Sequence, residues 1–259
     1  TNAALTQTNA QITGTVTEGF GRGLWVNNTG TLMVVGAPYA NSNDGRIAVY
    51  TRTTGDWTLQ QSIVCPDTGS AVLFGSSISM NSAGTKALIG APGSASPLVY
   101  YYTLSGSTWT LQQRIAAPNA SQFGQAVAMT YDGLTAYIGS PADTGRVANT
   151  GAVHVYSLLG STWSYNRKIA SGQGLHASTN TRKFGSSLSL TSDGTILMVG
   201  QPADLSYGSS RLGSVAVFAI PSALLASTVS DQWTARHRII DPIVNVNSDF
   251  GFTVAISPD

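Results

Sequence analysis

The sequence predicts an all-β fold, a β-propeller of four-stranded antiparallel blades, with four complete blades and a partial one closed by the N-terminal strand. Three observations predict it. Phe-Gly pairs recur at Phe20-Gly21, Phe74-Gly75, Phe123-Gly124, Phe184-Gly185 and Phe250-Gly251, spaced 54, 49, 61 and 66 residues apart. Inside each full repeat a glycine follows the Phe by ten residues (Gly30, Gly84, Gly133, Gly194) and a proline by eighteen (Pro38, Pro92, Pro141, Pro202). Glu18 is the only glutamate, while Gly, Thr, Val and Ser abound, so the residue types that build amphipathic helices are nearly absent.

Each repeat reads as four strands in order. After the Phe, apolar residues fall at positions four and six (Leu24/Val26, Ile78/Met80, Val127/Met129, Leu188/Leu190, Val254/Ile256), the period of a strand with one buried face. The tetrapeptides NNTG, NSAG, TYDG and TSDG then place Gly where a turn needs positive φ. Apolar runs follow from Leu32 to Gly36, Ala87 to Gly90, Ala136 to Gly139 and Ile196 to Gly200, and read as buried second strands. Third strands lie at Arg46 to Tyr50, Leu98 to Tyr102, Ala152 to Tyr156 and Ser214 to Phe218, each ending in an aromatic. A Trp six residues before an Ile marks the fourth strand: Trp57/Ile63, Trp109/Ile115, Trp163/Ile169 and Trp233/Ile239. Four strands in a period near fifty residues make a propeller blade.

The residues that carry the pattern, seen best in FGSSLSLTSDGTILMVGQP, GAVHVY and STWTLQQRI, resemble the FG-GAP repeat family over essentially the whole chain. That resemblance implies the propeller of integrin α type. The predicted organisation is one domain: residues 1–19 a closing strand, blades at 20–73, 74–122, 123–183 and 184–249, and 250–259 the first strand of a further blade in a longer chain.

Charged residues make up 10% of the chain, well below the roughly 25% usual for soluble domains, and the net charge is +1. No basic stripe exists, so nucleic acid is not expected as a partner. No apolar run spans a membrane, and the lone Cys65 excludes an intrachain disulfide.

Integrin-type blades carry a DxDxDG calcium loop between strands one and two, because a hard dication needs several oxygen ligands. Here those turns hold one carboxylate at most, Asp132 or Asp193, so no calcium, other metal or cofactor is expected. Asn41, Asn43 and Asp44 read as an Asx-rich turn. His154, His176 and His237 join no HExxH, GxSxG or carboxylate cluster, so no catalytic residues are expected. Sequons stand at Asn27 and Asn119.

Specificity on such a scaffold belongs to irregular loops. Arg146, Asn149, Tyr207 and Arg211 are the loop candidates for ligand binding. Trp25 joins them because it occurs once, on the face opposite Leu24 and Val26. The expected function is a non-enzymatic recognition or adhesion propeller presenting loops to a protein or glycan, outside a cell or on a virion surface. The alternative is an architectural subunit packed among neighbours in a capsid, tail or surface layer.

Overall fold

The computed structural model describes residues 12–15, 17–69, 71–93, 95–117, 120–144, 150–170, 183–204, 213–219, 235–240 and 248–257. It contains four four-stranded antiparallel sheets, each a meander drawn from one repeat. Blade 1 is β1 (Leu24–Val26), β2 (Leu32–Ala37), β3 (Arg46–Thr51) and β4 (Thr58–Val64). Blade 2 is β5 (Ser77–Met80), β6 (Lys86–Ala91), β7 (Leu98–Ser105) and β8 (Thr108–Ile115). Blade 3 is β9 (Ala126–Met129), β10 (Thr135–Ser140), β11 (Ala152–Leu159) and β12 (Thr162–Ala170), and blade 4 is β13 (Ser187–Leu190), β14 (Ile196–Gln201), β15 (Ser214–Ala219) and β16 (Ala235–Ile240). The first strands β1, β5, β9 and β13 adjoin one another and surround the axis.

The hydrophobic cores lie between blades. One joins blades 1 and 2 around Phe74, Val34 and Ile89, a second joins blades 2 and 3 around Phe123, Leu88 and Ile138, and a third joins blades 3 and 4 around Phe184, Tyr137 and Val199. Phe74, Phe123 and Phe184 are among the largest fully buried side chains of these cores. Each opens its blade and fills the space against the blade before it.

The glycines of the motif explain themselves at the same joint. The amide of the Phe-Gly glycine donates to the carbonyl of the second-strand glycine of its own blade, in Gly21 to Gly36, Gly75 to Gly90, Gly124 to Gly139 and Gly185 to Gly200, at 2.9 to 3.1 Å. Its own carbonyl lies over the second-strand glycine of the preceding blade. A Cβ on Gly36, Gly90, Gly139 or Gly200 would collide with the carbonyl oxygen of Gly75, Gly124, Gly185 or Gly251. The Phe-Gly and Gly-Ala-Pro elements are thus two halves of one backbone contact between neighbouring blades.

Gln113, the second Gln of the STWxxQQ motif, and its blade 1 counterpart Gln61 form an outer clasp. Gln113 Nε2 donates to the Trp163 carbonyl at 2.9 Å and its Oε1 accepts from the Trp163 amide at 2.7 Å. Gln61 treats Trp109 in the same way. A side-chain amide here completes the hydrogen bonding of the next blade's outer strand. Gln113→Ala is expected to cost about 1–2 kcal/mol, since two partly buried peptide groups lose their partners; urea unfolding would measure it, and an unchanged midpoint would contradict the clasp.

Two expectations differ from the structure. Phe250–Ser257 does not form a regular strand: Phe250 bridges Gly213 and Ile256 N donates to Ser189 Oγ at 3.0 Å, but no ladder forms. In every complete blade the first strand pairs with its own second strand, and none follows here among the described residues. Leu24 and Val26 are 56% and 41% exposed, whereas Ile78, Met80, Val127 and Met129 are buried, because no described blade covers that side of blade 1. Residues 1–11 and 16 of the expected closing segment lie outside the described residues, and 12–15 carry no regular structure.

Candidate functional site

The axis opens at the end where each first strand turns into its second. There the innermost strands leave a cleft of about 230 Å³. Its inner surface is Met80, Val127–Met129 and Leu188–Leu190, and its rim is Asn28, Tyr131, Thr191 and Ser192. Trp25, Ser79 and Ser189 enter it from three different blades.

Register explains the last three. Position five after the repeat Phe faces the axis, and its occupants in order are Trp25, Ser79, Ala128, Ser189 and Ala255. Small residues let the inner strands approach: Ser79 Oγ accepts from Met129 N at 3.0 Å, and Ser189 Oγ does the same for Ile256 N. Trp25 is the one bulky residue at this position, half-buried against the blade 1–2 core. Across the opening, Asn28 Nδ2 in the blade 1 turn donates to the Tyr131 hydroxyl in the blade 3 turn. The Tyr131 carbonyl is itself held by Ser82, whose amide and hydroxyl donate at 3.0 and 2.9 Å.

The rim turns show how their polar side chains are used. Asn27 Oδ1 accepts from Thr31 N and Leu32 N, and Asn81 Oδ1 from Thr85 N and Lys86 N, at 2.8 to 2.9 Å. Blades 3 and 4 solve the same problem with a Thr-Asp pair. Thr130 Oγ1 donates to Asp132 Oδ1 at 2.6 Å, and that oxygen also accepts from Leu134 N at 2.9 Å. Asp193 is held equally by Thr191 and Thr195, whose hydroxyls and amide lower its pKa. Each carboxylate is an acceptor for its own turn. Among the described residues no three His, Cys, Asp or Glu side chains gather as metal ligands.

The opposite end of the propeller carries a different chemistry. The residue just before the repeat Ile is a cation in three blades, Arg114, Lys168 and Arg238, and each meets an aspartate. Arg114 forks onto Asp67 through Nε at 2.8 Å and Nη2 at 2.9 Å, and the Tyr100 hydroxyl donates to the same carboxylate at 2.7 Å. Lys168 Nζ lies 3.1 Å from Asp143 Oδ1, with His154 Nε2 3.0 Å from Oδ2. Arg238 pairs with Asp204, which also accepts from Ser214 Oγ. His154 and Asp143 are each 2% exposed. The carboxylate faces His154 Nε2, while Nδ1 is buried with no hydrogen-bond partner among the described residues. In blade 1, where Ser62 replaces the cation, Asp44 instead accepts from Gly69 N at 2.9 and 3.0 Å. The Asx-rich turn before Asp44 has Asn41, Ser42 and Asn43 in the left-handed region.

Arg114 first, and the Tyr100 hydroxyl after it, hold the Asp67 carboxyl below its ordinary range against the opposing effect of burial. A depressed folded-state pKa means that this carboxylate contributes stability above the unfolded value, near 3.9, and that the contribution is lost as pH falls through the folded value. Melting temperature is therefore expected to drop below about pH 4, and Asp67→Asn to flatten that acid limb. An unaltered acid limb in the variant would exclude Asp67 as its source.

Of the residues nominated from sequence, Trp25 stands in the cleft. Arg146, Asn149, Tyr207 and Arg211 lie outside the described residues, as does Asn119. Asn27 is spent inside its turn, its Nδ2 donating to Thr29 and Thr31. The cleft rim and the aspartate–cation pairs were missed. The pairs did leave a signal, a cation immediately before the repeat Ile and the twice-occurring Pro-Ala-Asp at 141–143 and 202–204.

No protein-family profile and no curated protein matches the chain. Solved structures do. Hydrazine synthase of Kuenenia stuttgartiensis matches over 92% of this chain and 65% of its own, at 14% identity and TM-score 0.59. The periplasmic gluconolactonase of Pseudomonas aeruginosa matches over 83% and 55%, at 18% and 0.54. A candidate 6-phosphogluconolactonase of Bacteroides fragilis matches over 85% and 57%, at 14% and 0.55. The chain spans less than two thirds of the length of each. At these identities the likeness establishes the propeller fold.

These neighbours overturn the expected role as a recognition and adhesion module or an architectural subunit, because the architecture is shared with proteins described as enzymes. The physical reason lies in how a propeller builds a site. Several blades supply residues to the axis, so a site there needs no contiguous catalytic motif in the sequence.

Proposed function

We propose that this chain is the propeller of an enzyme acting on a small ring compound of the sugar-lactone kind, working on the outer side of the cytoplasmic membrane. The observation that carries the reading is the cleft at the axial mouth. Its volume of about 230 Å³ falls below the roughly 300–1,000 Å³ of sites that enclose drug-sized ligands, which fits a single-ring substrate. Its polar groups converge from several blades. Two of the matched propellers are described as lactonases, and one of these is periplasmic. No helix among the described residues is long and apolar enough to cross a membrane.

The reaction needs no redox partner. Water adds to the lactone carbonyl carbon, the ring C–O bond breaks, and the leaving alkoxide takes a proton, giving the hydroxy acid. Amide and hydroxyl donors at the rim are of the type that stabilises a developing oxyanion. The test is hydrolysis of D-glucono-δ-lactone followed at constant pH, corrected for the spontaneous rate. Saturable acceleration supports the reading; a rate equal to the background across a panel of sugar lactones would end it.

A further inference from the structure

The lining of the mouth assigns a ligand class to it. Resting on the reading above, we propose that the cleft selects an uncharged, hydroxyl-bearing ring stacked on Trp25, and discriminates against its carboxylate and phosphate relatives.

Three observations carry this. The axial position holds Ser or Ala in the other repeats, so blade 1 departs from the repeat at the place where a flat aromatic face would meet a ligand. An indole offers an apolar face to the C–H side of a ring while hydroxyl and amide groups opposite answer its polar edge. Here those groups are Asn28, Tyr131, Ser79, Ser189 and Ser192, spread over all four blades.

The third observation is charge. Among the described residues, no Lys, Arg, His, Asp or Glu lines the cleft. Lys86, just past the blade 2 turn, extends its Nζ to the Gly133 carbonyl at 3.2 Å. Two carboxylates, Asp132 and Asp193, sit in the turns next to the lining residues Tyr131 and Ser192. An anion entering this mouth would lose hydration, find no counter-ion and approach two negative groups, which disfavours it strongly. A neutral lactone meets none of these costs. Its hydrolysis product, a carboxylate, meets all of them, so the same lining that admits the ring expels the acid.

The test is calorimetric titration of the intact protein with D-gluconolactam, a neutral ring that does not hydrolyse, and with gluconate and 6-phosphogluconate. The lactam is expected to bind at least about tenfold more tightly than either anion. Trp25→Phe keeps an aromatic face and should bind the lactam within about threefold of the parent, whereas Trp25→Leu keeps bulk without that face and should lose about tenfold. Ser192→Lys places a cation on the rim and should raise gluconate affinity. Melting temperatures of the variants separate lost binding from lost folding. Failure of the lactam to bind, equal or tighter binding of gluconate, or unchanged lactam affinity in Trp25→Leu would each overturn the proposal. Lactone turnover with any of those outcomes leaves the enzymatic reading standing and removes this one; lactam binding without turnover does the reverse.

Discussion

Replacing Gly139 with Ala is expected to destabilise the protein by about 3 kcal/mol, the upper part of the range for overpacking a closed contact. The added methyl would collide with the Gly185 carbonyl, and backbone on both sides leaves no flexible side chain to move aside. Phe184, fully buried beside that carbonyl, would shift with it. For a chain of this size the loss corresponds to roughly 6–10 °C in melting temperature. Thr108→Ala, on the exposed start of an outer strand, should change stability by no more than about 0.5 kcal/mol. Calorimetric melting of both variants checks the contrast. Equal melting temperatures would mean that the blades do not meet through their glycines.

Removing the Asp143 carboxylate is expected to have the second large effect. Asp143→Ala leaves His154 Nε2 and Lys168 Nζ without the acceptor they share, in surroundings where His154 is 2% exposed. Breaking a buried pair from one side typically costs 3–5 kcal/mol; solvent reaches the Lys168 side chain, which is 35% exposed, so about 3 kcal/mol is expected. Lys168→Ala should cost less, because its head can be replaced by water while the histidine keeps its partner. Guanidinium unfolding of the two variants gives the order directly. A larger loss in Lys168→Ala would contradict the assignment of the carboxylate as the centre of the cluster.

The sequence disclosed the repeat because each blade solves the same packing problem with residues close in the chain. Strand order, turn positions and the interblade Phe residues follow from local periodicity. The second Gln of STWxxQQ and the paired glycines were visible as motif letters, but their purpose was not: Gln113 meets Trp163 fifty residues on, and Gly139 meets Gly185 in the next blade. Trp25 was legible as a break in the repeat. Its cleft was not, since Asn28 and Tyr131 are 103 residues apart and touch only when the ring brings blades 1 and 3 across the axis. The expectation that His154 joins no carboxylate fails for a similar reason, its aspartate arriving from a loop and its neighbouring lysine from another strand.

The turns between first and second strands close in two ways. A turn that closes with Asn27 or Asn81 needs no carboxylate. Asp132 and Asp193, where they occur, are occupied by hydroxyl and amide donors of their own turns. The two ends of this propeller differ accordingly, with amides, hydroxyls and two turn-held carboxylates at the turn end and aspartate–cation pairs at the other.

The central claim, that the axial mouth is the small-molecule site, is tested most directly by a crystal structure of the protein grown with D-gluconolactam. The account predicts ring-shaped density stacked on Trp25 and within hydrogen-bond distance of Asn28 or Tyr131. An empty mouth with the lactam bound elsewhere, or Trp25 packed so that it fills the cleft, would contradict it.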